Sequence, residues 1–101
     1  MISTDFSHKN GVVTFDNLFL DENKPLIDQL DDLKEDMLQV EFPNAYLLDV
    51  GWTPSFNIDG KFKIVLIKDY DWQKPVYTGV ATNVKDLERE MSLAVSEIPT
   101  G

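Results

Sequence analysis

Apolar positions along the chain follow two periods, and the switches between them predict its elements. Gly11 to Leu20 (GVVTFDNLFL) is rich in Val and Phe, with Val13 and Phe15 on one face, and predicts a first strand. Asp21 to Lys24 breaks it with polar residues. Pro25 then opens a helical pattern, with Asn23 or Lys24 as N-cap and proline in the first turn, where its missing N–H costs nothing. At about 100° per residue, Leu26, Leu30, Leu33, Met37 and Val40 fall on one arc, with Ile27 and Leu38 beside them. Asp28, Asp31, Asp32, Glu35 and Asp36 fall opposite, and Pro43 stops the run.

The period then returns to two. Tyr46, Leu48 and Val50 alternate with Leu47 and Asp49 in a strand that ends at Gly51-Trp52. Phe62 to Ile67 (FKIVLI) follows the turn signal Asp59-Gly60, so these runs predict an antiparallel hairpin with an extended tip from Trp52 to Gly60. Val76 to Ala81 is a weaker strand; Pro75 at its start and Gly79 within it suit a sheet edge. Asn83 caps a last helix, with Asp86 three positions on, carrying Val84, Leu87, Met91, Ala94 or Val95 and Ile98 at helical spacing until Pro99. The expected fold is α+β: an antiparallel sheet of three to four strands packed with two amphipathic helices, in the order β-α-β-β-β-α. Prolines are dispersed and no repeat, linker or biased segment interrupts the 101 residues, so one domain spans 1–101.

Charge sharpens this picture more than hydrophobicity does. Eighteen acidic residues against nine basic ones give a formal net charge of −9, which opposes direct contact with nucleic-acid phosphates and would steer a basic partner inward. With no cysteine there is no disulfide framework and no thiolate chemistry. The first residues, MISTDFSHKN, lack the basic and apolar regions of a secretion signal, and no apolar run is long enough to span a bilayer. A soluble, cytoplasmic protein is expected.

Catalytic groupings are thin. His8 sits near Ser3, Asp5 and Ser7, the residue types of a triad, but a chain terminus does not hold an imidazole in one orientation. Asp49, in an otherwise apolar strand, is the best-placed carboxylate for acid–base work if a pocket desolvates it. Strand alternation favours a solvated face, however, and no second buried carboxylate accompanies it. Ser55 to Gly60 (SFNIDG) imitates half a calcium loop, yet Ser55 replaces the first aspartate and Leu66 stands where a bidentate glutamate is needed. A hairpin turn accounts for it. No phosphate cradle, paired-histidine zinc motif or nucleophile elbow is present, so the expectation is a non-enzyme without cofactor or metal.

Two surfaces remain. Asp28, Asp31, Asp32, Glu35 and Asp36 form the anionic face of the expected first helix, relieved only by Lys34; like charges at that spacing weaken a helix by a few tenths of a kcal/mol each. Asp69-Tyr70-Asp71-Trp72 joins two strands with alternating carboxylates and rings: either the rings fold over the sheet end, or they anchor a partner whose cations meet the aspartates. Trp52 and Phe56 belong to the hairpin tip, which a simple meander puts at the other end of the sheet.

A strand ending Asp49-Val50-Gly51-Trp52, a turn with Asp59-Gly60, an apolar strand, then Asp71-Trp72 followed by Pro75 resembles immunity proteins of bacterial polymorphic-toxin systems, including those of contact-dependent growth inhibition. The resemblance covers about the middle third of the chain. It implies a cytosolic protein that binds a toxin domain, often a nuclease, and covers its active site or substrate groove. It assigns no contact residues, so Asp28, Asp31, Asp32, Glu35, Asp69, Tyr70, Asp71 and Trp72 rest on charge and ring placement alone. A small-molecule-binding module and a homo-oligomeric structural protein are the alternative readings.

Overall fold

Strict alternation forms the centre of the molecule. In the computed structural model, which describes residues 6–99 apart from Phe19 and Glu22, Tyr46–Thr53 (β3) and Lys61–Lys68 (β4) pair antiparallel from Tyr46↔Lys68 to Thr53↔Lys61. Leu48, Val50, Trp52, Phe62, Ile64 and Leu66 thereby share one face and are buried. Tyr77–Ala81 (β5) pairs with β4 at one edge, where the proline and glycine signals placed it. The helix is Val84–Ser96 (α1), capped as expected: the Asn83 side chain accepts from the Asp86 N–H at 2.8 Å. Leu87, Met91, Ala94 and Val95 turn toward the sheet.

The α+β class stands, but the sheet has five strands rather than three to four. Val12–Asp16 (β1) and Leu38–Phe42 (β2) complete an antiparallel meander in the order β1-β2-β3-β4-β5. β1 is shorter than the expected Gly11–Leu20 and slips register around Thr14, while Phe19 lies outside the described residues.

The expected first helix is corrected. Only Leu26–Asp32 is helical, as a 3-10 helix broken at Gln29, and Pro25 is its N-cap rather than a first-turn residue. The chain then leaves the helix, extended at Leu33 and bent at Glu35, and becomes β2 at Leu38. Two forces decide this. Aspartates are poor helix formers that repel at i, i+3 and i, i+4. Leu38-Gln39-Val40-Glu41-Phe42 also alternates strictly, so its apolar residues fit a strand better than an arc. Leu33, Met37 and Val40 are buried as expected, but from backbone that is not helical. Gln29 closes the preceding loop: its carboxamide donates to the carbonyls of Asp21 (2.9 Å) and Lys24 (3.1 Å) and accepts from the Asp21 N–H (2.7 Å).

Candidate partner-binding surface

The loop after β4 is a braced projection. Asp69 and Tyr70 both take left-handed backbone (φ 56° and 59°), the conformation of a type I′ turn, and Asp71 N–H closes it on Lys68 C=O at 3.1 Å. Asn and Gly normally occupy such turns. A tyrosine there costs on the order of 1–2 kcal/mol. Asp69 N–H also donates to Ala45 C=O (2.9 Å), tying the loop to the β2–β3 connection, where Asn44 and Ala45 are left-handed as well (φ 67° and 63°). Four non-glycine residues in that region therefore meet at one end of the sheet. Asp71 accepts further from Gln73 N–H at 3.2 Å.

Backbone so constrained presents its rings outward. Tyr70 is 63% exposed and Trp72 49%, so the rings do not fold away as a cap on the sheet. The carboxylates of Asp69 and Asp71 are exposed beside them. Lys68 and Lys74 flank the turn, with Lys68 Nζ 5.4 Å from the centroid of the Tyr46 ring, so the loop is charge-balanced rather than acidic.

The other expected surface exists in altered form. Asp28 and Asp31 are exposed and Asp32 half-buried on the 3-10 helix, while Glu35 and Asp36 are exposed on the segment after it, which bends at Glu35. No helix face unites them. Backbone bonds fasten that segment to the hairpin tip: Trp52 N–H to Lys34 C=O (2.7 Å), Phe56 N–H to Leu33 C=O (2.8 Å) and Met37 N–H to Val50 C=O (3.0 Å). These carboxylates thus lie at the tip end and the Tyr70–Trp72 loop at the opposite end, separated by the length of β3, about 26 Å for eight residues. The eight residues singled out by sequence form two poles, not one patch. Trp52 belongs to the core, 1% exposed, edge-to-face on Phe62 (4.7 Å), its indole N–H donating to Asn57 C=O. Phe56 is exposed.

α1 lies on one face of the sheet; on the other, Leu47 and Ile67 are buried and Gln39, Asp49 and Val65 half-buried. Register places Gln39, Asp49, Val65 and Thr78 in one row across it, beside Glu41, Leu47 and Ile67. Asp49 points out of the sheet as alternation requires, yet it is half-buried: Oδ1 is shielded and has no hydrogen-bond partner among the described residues. Burial pushes its carboxyl above the ordinary carboxylate range, with the Asp36 charge adding to the rise, while bonds from Gln39 and the Val50 amide oppose it. The folded state then binds this proton more readily than the unfolded chain, so stability falls as pH rises from the unfolded carboxyl's range through the folded one. Asp49→Asn, which cannot ionise, is expected to unfold at a higher temperature than wild type at neutral pH, the gap closing as pH falls toward 4. Calorimetry across that range checks it; a gap that stays constant with pH would exclude the ionisation as its source.

His8 is exposed in the 3-10 helix Ser7–Lys9, Ser3 and Asp5 lie outside the described residues, and no group of carboxylates and histidine suited to a metal occurs among the described residues. The half calcium loop is a turn: Asn57 accepts from Asp59 N–H, Gly60 N–H donates to Asn57 C=O, and Ser55 Oγ accepts from Glu35 N–H. A cavity of about 700 Å³ opens between the tip and the start of α1, walled by Leu26, Trp52, Ile58 and Val84 and rimmed by Lys24 and Lys85. No helix among the described residues is long and apolar enough to cross a membrane. No family model matches this chain, and neither the curated proteins nor the solved structures contain a match.

Proposed function

We propose that this chain is a cytoplasmic immunity protein, not an enzyme, which binds and neutralises a cognate basic toxin domain, a nuclease, without cofactor or metal. The observation that carries this is the strained Lys68–Trp72 turn. Left-handed backbone at a tyrosine persists only where surrounding structure enforces it, and its product is a fixed pair of exposed rings flanked by carboxylates. Exposed Tyr and Trp on rigid backbone are the residue types that dominate interface energetics. The carboxylates at the opposite pole act at longer range, as part of a net charge of −9 that accelerates capture of a cationic partner.

The test is neutralisation of the toxin domain encoded beside this chain. A stoichiometric complex that abolishes toxin activity is expected; a fully active toxin in the presence of excess chain would overturn the proposal. Asp28→Lys, Asp32→Lys and Glu35→Lys together are expected to slow association roughly tenfold at low salt, with little change in dissociation. An association rate insensitive to both the triple change and to salt would remove the steering role. The 700 Å³ cavity supports a second reading, a small-molecule-binding module, since its size falls in the usual range for ligand sites. A ligand-dependent rise in melting temperature, abolished by filling the cavity with Ile58→Trp, would favour it.

A further inference from the structure

The two edges of the sheet are built differently. β1 carries a register slip around Thr14 and ends in Asp16, devices that discourage pairing with another chain. β5 has neither. Tyr77–Ala81 (YTGVA) contains no charge and no proline, its register against β4 runs without a shift, and among the described residues it pairs with β4 alone. Half its backbone N–H and C=O groups therefore point away from the sheet, the arrangement that accepts an added strand.

What borders this edge specifies what would fit. On the helix side, Glu90 lies over β5: Tyr77 O–H donates to Glu90 Oε1 at 2.6 Å, and Gly79 leaves the space in which that carboxylate sits, since a Cβ there would fall 2.1 Å from the same oxygen. Glu97, exposed on α1's C-cap, is near enough to act on the Tyr77 phenol electrostatically. Arg89 is shared between Asp86 (3.7 Å) and Glu90 (3.9 Å), so two carboxylates meet one guanidinium while Glu97 adds a further negative charge on the same helix. On the open side, Val80 is 57% exposed, beside a shallow groove of about 380 Å³ lined by Lys63, Val65, Thr78 and Gly79. The helix side of the edge carries more carboxylate than cation, and the open side is mainly apolar with Lys63 in its lining.

We propose that β5 is an acceptor edge for an extended cationic segment of the partner, which adds as a sixth strand with alternate Lys or Arg side chains against the α1 carboxylates and apolar ones over the groove. This rests on the proposed function only for the identity of the donor, a basic toxin domain. A second copy of this chain is the poorer occupant: pairing β5 with β5 about a two-fold axis would set Glu90 and Glu97 of the two copies against each other, with −9 on each chain.

Hydrogen exchange of the intact protein by NMR tests the edge directly, with a short synthetic peptide alternating lysine and valine as probe. The peptide should slow exchange of the β5 amides that point away from β4 and leave β1 unchanged. Its glutamate-for-lysine counterpart, and the lysine peptide N-methylated at alternate backbone nitrogens, should each bind at least about tenfold more weakly, or ~1.4 kcal/mol. Glu90→Gln combined with Glu97→Gln should weaken the lysine peptide several-fold while circular dichroism stays unchanged. Unslowed β5 amides, equal binding of the N-methylated peptide, or protection appearing at β1 would each overturn the proposal, as would β5 protection that grows with protein concentration in the absence of peptide. Neutralisation of the toxin alongside unresponsive β5 amides removes this inference and leaves the proposed function; protected β5 amides alongside an active toxin do the reverse.

Discussion

Gly51→Ala should cost about 3 kcal/mol or more of the roughly 5–15 kcal/mol that a domain of this size holds. A Cβ at position 51 would stand 1.8 Å from the carbonyl oxygen of Glu35 and 2.7 Å from its carbonyl carbon. Both are backbone atoms, so no rotamer relieves the overlap. The Glu35 segment is also pinned on both sides, by Trp52 N–H to Lys34 C=O and by Met37 N–H to Val50 C=O, so it can retreat only by surrendering those bonds. Each bond contributes about 0.5–1.5 kcal/mol, and leaving its groups buried and unpaired costs more. Gly79→Ala is the control. Its Cβ would meet the Glu90 carboxylate at 2.1 Å, the end of a flexible side chain that can swing aside at the expense of the Tyr77 bond, a loss of about 1 kcal/mol. Urea denaturation of both variants should show the midpoint falling much further for Gly51→Ala; equal midpoints would mean that residues 33–37 do not lie against β3.

That close approach also explains why residues 25–43 carry a helical pattern but do not form one helix. Leu30, Leu33, Met37 and Val40 satisfy a 3.6-residue period, and residues 33, 37 and 40 are indeed buried. Periodicity identifies which side chains leave water; it does not say which backbone carries them when two periods share the same positions. The deciding partner, Gly51, stands sixteen residues downstream of Glu35 and makes sense as a glycine only once the Glu35 backbone is seen crossing it. Where local chemistry is decisive the sequence is sufficient: the Asn83 cap, the β3–β4 hairpin signalled by Asp59-Gly60, and the edge position of β5 all follow from residues within a few positions of each other.

The candidate surface divides in the same way. Tyr70 and Trp72 were legible as rings with no place in a strand, but their exposure depends on the tie from Asp69 to Ala45, a contact across twenty-four residues. Splitting the acidic residues between two poles was not legible, because it follows from the sheet lying between them. Asp49 pointing out of the sheet came from alternation alone. Its shielded oxygen did not, since that depends on Gln39 arriving as a strand neighbour rather than on a helix. The open edge of β5 became significant only in contrast with β1, whose register slip has no sequence signature.

Trp72→Ala is expected to leave folding stability within about 0.5 kcal/mol of wild type while costing about 2–4 kcal/mol of toxin binding, nearly all of it as faster release, roughly 30- to 1000-fold. The asymmetry follows from geometry: the ring is half exposed and outside the buried cluster, so truncation opens no cavity in the core, whereas an anchor in a partner's pocket loses most of its contact area. Tyr70→Gly sharpens the test because it changes stability in the opposite sense. Glycine relieves a left-handed tyrosine (φ 59°), and after its own entropic cost should leave the fold unchanged or up to about 1 kcal/mol more stable. Binding should nonetheless weaken, as the second ring is lost and the turn loosens. A variant that folds better and binds worse is the signature of strain held for recognition. Thermal unfolding and surface-based dissociation kinetics on the same preparations would establish it. If Trp72→Ala instead lost more than about 2 kcal/mol of stability and left toxin release unchanged, the ring would be a structural cap on the sheet end, and the anchor would have to be sought along β5.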